Sequence, residues 1–195
     1  MSVLPAPLAD RLPWLRNDFA VAAHGSIDVI ELDANAPGSV SFTVNSPALQ
    51  ICAHNPAVFR VMWFQEEKSA DGMFITFDAD GAHLHVVELK MTMTESKWVR
   101  VKRQFDGSRL HAFAFQGISG IQDFVSITVY AAFLKNKMRS PILNKPGAVG
   151  GAALDRAIDW MEERVTLITG ETARLVKIAC TDGGAAGFVG THAVV

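Results

Sequence analysis

The sequence predicts an α/β fold in which a mixed central β-sheet is flanked by helices. Three observations support this prediction. Short β-rich runs separated by turn residues occupy the first half of the chain, a segment of helical propensity follows at residues 94–105, and the second half alternates strand-like and helical patterns. Because strands come first and then alternate with helices, we expect one sheet that contains both parallel and antiparallel pairs.

The composition sets the class of protein. Of the 195 residues, 49% are hydrophobic, which suits a single domain over residues 1–195 and excludes a disordered chain. No apolar stretch reaches the roughly 18 residues that cross a bilayer, so no membrane partner is expected. The N-terminus lacks a signal-peptide pattern, which predicts a cytoplasmic location. Cys52 and Cys180 are too few for a disulfide framework and are predicted to be buried thiols.

The N-terminal region combines a helical pattern with strands. Residues 14–25 predict a short helix that ends at Gly25. Two β-rich runs follow at residues 26–34 and 38–44, and the Asn-Ala-Pro-Gly sequence between them predicts a hairpin. These strands form a predicted N-terminal β-rich extension. A further apolar run covers residues 57–64.

A second hairpin is predicted in the middle of the chain. Residues 73–77 and 83–91 are strand-like, and the Asp-Ala-Asp-Gly sequence between them has the residue types of a tight turn. Alternation places one set of side chains on each face of the second strand: Leu84, Val86, Glu88 and Lys90 on one, and His83, His85, Val87 and Leu89 on the other. The two histidines are interpreted as packing or surface residues, because no cysteine or third histidine has metal-ligand spacing to them.

Helices and strands alternate after this hairpin. A helix is predicted to begin with Thr94 or Ser96 as its N-cap and to extend to Phe105, with an interruption at Asp106-Gly107. The remaining predictions are a strand at 123–134, an amphipathic helix at 152–168, a last strand at 173–180 and an irregular Gly-rich C-terminal tail at 181–195.

Glu88 and Lys90 carry the chemistry that the sequence predicts. They share one face of a strand, so their side chains can converge on one reacting centre. A carboxylate that binds a divalent ion, beside an ammonium that stabilises an anion or positions water, suits phosphodiester cleavage. Mg²⁺ usually takes one or two carboxylates. Asp71 is the best candidate for the second, because the predicted hairpin returns its strand alongside Glu88.

The pattern of Asp71, a strand and hairpin, and then Glu88-Leu89-Lys90 resembles the PD-(D/E)XK nuclease superfamily. The resemblance covers residues 60–135 and implies a restriction-endonuclease-like core at about residues 50–180. It implies Mg²⁺ or Mn²⁺ held by Asp71, Glu88 and the backbone carbonyl of Leu89. Lys90 is implied to be catalytic. Several lineages carry a glutamine on the following helix, which implies a catalytic role for Gln104. Others place a further glutamate on an N-terminal helix, and the nearest candidates here are Glu66 and Glu67.

A local basic patch predicts the partner. The formal net charge of −2 excludes a strongly basic, non-specific nucleic-acid binder. Cationic residues nevertheless concentrate on the predicted helix, and we expect them to bind the nucleic-acid backbone: Lys97, Arg100, Lys102 and Arg103. DNA is favoured over RNA. A small nuclease domain often cuts both strands as a dimer, so a homodimer is a further expectation.

The predicted function is metal-dependent phosphodiester cleavage of DNA, by an endonuclease or an exonuclease. One alternative is a catalytically inactive nuclease-like module that serves assembly or protein interaction in a larger defence, secretion or phage system. Another is an unrelated α/β binding protein in which Glu88 and Lys90 form a simple ion pair. In that case Asp71 should lie far from Glu88.

Overall fold

The structure is a computed structural model that describes residues 4–15, 19–31, 37–51, 69–138, 158–184 and 187–194. Its helices are α1 (Ala6–Arg11), a 3₁₀ turn (Leu12–Trp14) and α2 (Glu95–Ser119). Residues 158–162 are also helical. The strands are β1 (Ala20–Glu31), β2 (Gly38–Ile51), β3 (Gly72–Phe77), β4 (Ala82–Met93), β5 (Ser126–Asn136), β6 (Arg164–Thr166), β7 (Thr172–Ala179), β8 (Thr181–Asp182) and β9 (Phe188–Val194).

The strands of the described residues form one mixed sheet. Their order is β6-β7-β5-β4-β3-β2-β9-β8, and β1 pairs with β2 outside this path. The pairs β4–β5, β5–β7 and β2–β9 are parallel, and the others are antiparallel. The predicted mixed α/β fold is therefore confirmed. The β1–β2 hairpin is part of the main sheet, through the pairing of β2 with β3, and not an extension beside it.

Both predicted hairpins are present. β1 and β2 pair antiparallel over most of their length, and β3 and β4 pair from Gly72 opposite Val87 to the turn. In that turn the Asp78 carboxylate accepts hydrogen bonds from the backbone N–H groups of Asp80 and Gly81, at 2.8 and 3.1 Å. Gly81 has φ of 140°, which a side chain would disfavour. Turn chemistry thus fixes the register of β3 against β4.

The two faces of the sheet support two separate hydrophobic clusters. Leu84 and Val86 of β4 belong to the cluster beneath α2, whereas Val87 and Leu89 belong to the cluster on the other face, as the alternation predicts. The helical segments of the described residues all pack against the first cluster, through Leu8, Trp98 and Trp160 among others. Among the residues that the structure describes, the prediction of helices flanking the sheet is therefore met on the face of the first cluster.

The second face is enclosed because the sheet curls. β9 lies several strands away from β5 and β7 in sheet order, yet contacts both. The rings of Tyr130 on β5 and His192 on β9 have centroids 5.3 Å apart, and Phe42 of β2 lies 5.0 Å from Tyr130. Within the described ranges, the curl encloses the second cluster and no helix covers it. None of the helices described here is long and apolar enough to cross a membrane.

The helix α2 is longer than the sequence predicts. Thr94 caps it, accepting a hydrogen bond from the Lys97 N–H at 3.3 Å, and Gly120 ends it in a left-handed conformation. The predicted interruption at Asp106-Gly107 is absent. Gly107 is buried and Asp106 accepts a hydrogen bond from the Ile168 N–H at 2.7 Å, so tertiary contacts outweigh the local preference for a turn.

The predicted N-terminal helix at residues 14–25 is wrong over its second half. β1 begins at Ala20, and its first residues pair with the last residues of β2, up to Ile51. Gly25 has φ of 87° and follows a register shift after Ala23, so it serves a β-bulge and not a helix end. The apolar run at 57–64 lies outside the described residues.

The C-terminal part also differs from its prediction. Of the predicted helix at 152–168, residues 152–157 lie outside the described residues and residues 158–162 are helical. Glu163 then has φ of 54°, and residues 164–166 form β6. The predicted irregular tail at 181–195 contains β8 and β9. A Cβ on Gly190 would lie 2.8 Å from the sulfur of Cys180, so this glycine permits the close approach of β9. Cys180 is a buried free thiol; Cys52 is outside the described residues.

Candidate active site

Asp71 and Glu88 meet where β3 begins. Gly72 pairs with Val87, which brings the residue before β3 alongside the second half of β4. The Asp71 N–H donates to the Glu88 carboxylate at 3.3 Å, and the Leu89 N–H donates to the Asp71 carboxylate at 2.7 Å. The distance expected for the alternative of an unrelated α/β binding protein with a simple Glu88–Lys90 ion pair, in which Asp71 lies far from Glu88, is not observed.

Lys90 places its ammonium among these carboxylates. Its Nζ forms an ion pair with Glu88 Oε1 and lies 3.9 Å from Asp71 Oδ2. The same Nζ donates to the backbone carbonyl of Leu89 at 2.8 Å. The structure therefore gathers Asp71, Glu88, Lys90 and the Leu89 carbonyl at one point. The Leu89 side chain itself belongs to the cluster on the opposite face.

Glu31, the last residue of β1, completes the cluster and was not predicted from the sequence. Its carboxylate lies 3.7 Å from Lys90 Nζ and shares a hydrogen bond with the Asp71 carboxyl group. β1 reaches the site because Gly72 has no side chain: a Cβ there would lie 2.5 Å from Cγ1 of Val29. Val29 and Glu31 share one face of β1, so the packing of Val29 on Gly72 carries Glu31 to Asp71.

The site holds three carboxyl groups and one ammonium in a largely buried position. Glu88 is fully buried, and the side chains of Asp71 and Lys90 are 15% and 18% exposed. Burial raises the pKa of Asp71 to about 6, although Lys90 opposes the shift. Burial, followed by the charge of Asp71, raises the pKa of Glu88 to about 8. Burial opposes ionisation of Lys90, but Glu88 and Asp71 hold its pKa above the ordinary value.

Gln104 lies near the site and forms a hydrogen bond with the segment that precedes Asp71. Its Nε2 donates to the Ser69 carbonyl at 3.4 Å, and Ser108, one turn later, accepts a hydrogen bond from the Ala70 N–H at 2.9 Å. These two side chains of α2 hold the segment that leads into Asp71. Gln104 Oε1 is buried and has no hydrogen-bond partner among the described residues.

The basic residues of α2 divide into two groups. Lys97, Arg100 and Arg103 are exposed and, at a spacing of three residues, lie on one side of the helix. Lys102 lies on another side and is held by an ion pair with Asp159. Arg100 precedes Gln104 by one helical turn, so the first group lies beside the residue that holds the segment before Asp71. Glu66 and Glu67 lie outside the described residues.

Comparison of the chain with protein-family models, with curated proteins and with solved structures gives no match. No group of three or more His, Cys, Asp or Glu side chains within the described ranges is arranged as a set of metal ligands. The cation that contacts the carboxylates is the Lys90 ammonium. The functional assignment therefore depends on the residues and geometry of this site.

Proposed function

We propose that the protein is a metal-dependent phosphodiesterase that cleaves DNA with a metal-activated water. We further propose that the β3–β4 hairpin, α2 and β5 belong to a restriction-endonuclease-like core. The observation that supports both is the cluster of Glu31, Asp71, Glu88 and Lys90. A single ammonium cannot neutralise three carboxylates. The cluster therefore favours either protonation of its carboxyl groups or the binding of a second cation.

The chemistry of the oxygen atoms fits Mg²⁺ or Mn²⁺. Asp71, Glu88 and the Leu89 carbonyl supply oxygens, which are the ligands that these hard cations prefer. Glu88 Oε1 is fully buried and contacts the Lys90 ammonium, but it accepts no well-oriented hydrogen bond within the described part of the chain. These three residues would hold the ion. When bound, it supplies Lewis acidity at the phosphate and a water of lowered pKa.

The residues of the chain have distinct roles in this proposal. Lys90 orients the attacking water and stabilises negative charge on the phosphate. Glu31 adds a third carboxylate beside the Lys90 ammonium and Asp71. Gln104 fixes the segment that carries Asp71, and its unpartnered Oε1 is an acceptor for a water or a substrate group.

The test of this function is DNA cleavage by the purified wild-type protein. Supercoiled and linear DNA are incubated with Mg²⁺ or Mn²⁺, and a matched reaction contains excess EDTA. We expect nicked or linear products with metal and none with EDTA, because the uncompensated carboxylates act only through the ion. Cleavage that persists in EDTA, or no cleavage with either metal, would contradict the proposal.

The basic residues on one side of α2 provide a separate test of DNA as the partner. Replacing both Arg100 and Arg103 with Ala is expected to weaken duplex binding. The slope of log affinity against log salt should fall by about 0.9 for every phosphate that the protein no longer neutralises. Fluorescence anisotropy at several salt concentrations measures this slope. Lys102→Ala is the matched control, because Asp159 already engages that charge. Equal slopes in all three proteins would exclude this surface.

The second candidate function is a nuclease-like module without catalysis. Two observations favour it: Glu88 is fully buried, and the Lys90 ammonium already contacts its carboxylate. In such a module the cluster would stabilise the junction of β1, β3 and β4 instead of binding metal. Failure of the wild-type protein to bind Mn²⁺ and to cleave DNA would select this candidate.

A further inference from the structure

A cavity of about 640 Å³ opens on the face of the sheet opposite α2. It lies at the beginnings of the parallel strands β4, β5 and β7 and is bordered by the end of β9. This volume is within the usual range of small-molecule sites, roughly 300–1,000 Å³. No residue of the Glu31, Asp71, Glu88 and Lys90 cluster lines it. The cavity is therefore separate from the candidate active site.

One wall of the cavity is a rigid chain of hydrogen bonds. The imidazole of His85 bonds Thr76 Oγ1 through Nε2 at 2.9 Å and the Tyr130 hydroxyl through Nδ1 at 3.0 Å. The ring of Phe74 stacks on His85 at a centroid distance of 4.5 Å. Burial lowers the pKa of His85 to about 3, so its ring is neutral at physiological pH.

This chain leaves the Tyr130 hydroxyl with unused hydrogen-bonding capacity. A neutral imidazole has one N–H donor and one bare acceptor nitrogen. If Tyr130 donates to His85, its oxygen still accepts; if it accepts from His85, its O–H still donates. In both tautomers the 2% exposed phenol offers one further hydrogen bond at the cavity wall.

The cavity also contains an uncompensated positive charge. Arg174 of β7 is exposed and forms no ion pair with a carboxylate of the described residues. Arg174 contributes to lowering the pKa of Glu163, but the Glu163 carboxylate forms its ion pair with Lys177, at 2.9 Å. Asp78 also lines the cavity, but it accepts from its own turn and lies 2.9 Å from His83 Nε2. The guanidinium is thus available to an anion.

Donors other than Arg174 surround the same space. The Thr128 hydroxyl lies on β5, and the imidazole of His192 faces Tyr130 edge-on across the curl. The Ser126 hydroxyl also lines the cavity, but it is already hydrogen-bonded to His83 Nδ1 at 2.8 Å. Burial, together with Arg174, lowers the pKa of His192, so its ring is neutral and carries one N–H donor. Several donors around one guanidinium suit a group with three terminal oxygens better than a carboxylate with two.

We propose that this cavity binds a small phosphate monoester, with Arg174 as the main contact to the phosphate, Thr128 and His192 as further donors to it, and Tyr130 against the organic part. The site is larger than a phosphate ion, which leaves space for the esterified group. The proposal does not depend on nuclease activity, because the two sites share no residue.

Isothermal titration calorimetry with four probes tests the proposal in metal-free buffer: adenosine 5′-monophosphate, inorganic phosphate, adenosine and succinate. The wild-type protein is expected to bind the monophosphate saturably, inorganic phosphate more weakly, and adenosine and succinate not at all. Arg174→Met should weaken monophosphate binding by about tenfold or more, the effect of losing a charge-assisted pair. His192→Phe should weaken it severalfold.

Arg164→Met is the matched control. Arg164 lies directly opposite Arg174 in the pairing of β6 with β7, but its side chain forms an ion pair with Glu162 and does not line the cavity. The Arg164→Met variant should bind the monophosphate with the wild-type affinity within about twofold, the usual effect of a substitution at an exposed surface position. Absence of saturable monophosphate binding would overturn the proposal. Equal binding of adenosine, tighter binding of succinate, or the same loss in Arg164→Met would overturn it as well.

Discussion

Glu88→Gln is expected to lower the rate of DNA cleavage by roughly 10³-fold. A metal ion contributes several kcal/mol to stabilisation of the transition state, and each 1.4 kcal/mol corresponds to about a factor of ten in rate. Gln keeps the size of the side chain and can still accept from the Asp71 N–H, but it cannot act as an anionic ligand. The loss should appear in kcat, and the affinity for DNA measured in EDTA should be unchanged, because the fully buried Glu88 does not itself contact DNA.

The fold is expected to survive this substitution. Burial raises the pKa of Glu88 to about 8, so below that pH the neutral amide replaces a carboxyl group that is already largely protonated. The Lys90 ammonium keeps Asp71 and Glu31 as partners, so the free energy of unfolding should stay within about 1 kcal/mol of the wild type. Glu95→Gln, the same change at an exposed residue in the first turn of α2, is the matched control. Retained turnover in Glu88→Gln would refute the assignment of Glu88.

Lys90→Met should destabilise the protein by about 3 kcal/mol at pH 8.5, because removing one partner of a buried ion pair leaves uncompensated charge. The three carboxyl groups of Glu31, Asp71 and Glu88 would then face one another without the ammonium. Denaturant unfolding in EDTA measures the effect. Lys135→Met, on an exposed position of β5, is the control and should change stability by less than about 0.5 kcal/mol.

The loss in Lys90→Met should depend on pH. The pKa values of Asp71 and Glu88, about 6 and about 8, lie above their ordinary values of 3.8 and 4.5. At pH 5 the folded state therefore holds both protons with or without Lys90, and the loss should be below about 1 kcal/mol. As pH rises through these values, the carboxyl groups of Asp71 and Glu88 in the wild type ionise beside the Lys90 ammonium. In the variant the same groups must either stay protonated or become buried charges without a cation. The difference in stability thus grows with pH.

A double variant separates the ion pair from simple packing. Glu88→Gln combined with Lys90→Met removes both charges, so it should recover at least half of the loss at pH 8.5. If the change in unfolding free energy of the double variant equalled the sum of the changes in the two single variants, Glu88 and Lys90 would not interact. An equal loss at pH 5 and pH 8.5 would show that packing, and not charge, explains the effect.

The parts of the fold that follow from local chemistry were predicted correctly from the sequence. The β3–β4 hairpin follows from Asp78 and Gly81, which satisfy the turn with their own side chain and backbone. Alternation along β4 then fixes which residues share a face with Glu88. These two local facts bring Asp71, Glu88 and Lys90 together, because the pairing of adjacent strands determines the neighbours of each residue.

The errors lie where distant segments decide the structure. β9 pairs with β2 and approaches Cys180 closely at Gly190, and nothing within residues 181–195 indicates either partner. Glu31 joins the site because the missing side chain of Gly72 admits Val29, and these residues lie far apart in the sequence. A glutamate at the end of a strand has no motif of its own. One signal could have identified Glu31. The predicted catalytic Asp71 is followed by a glycine, which leaves space for another strand, and an earlier strand ends in an acid.

Titration of Mn²⁺ into the wild-type protein, Asp71→Asn and Glu88→Gln tests the central claim most directly. Calorimetry at pH 8 detects binding to the carboxylate cluster without requiring that the DNA substrate be known. The account predicts saturable binding of Mn²⁺ to the wild type, abolished or weakened by at least about tenfold in both variants, since carboxylate oxygens are the principal ligands. Absence of saturable binding to the wild type, or equal affinity in Glu88→Gln, would contradict it.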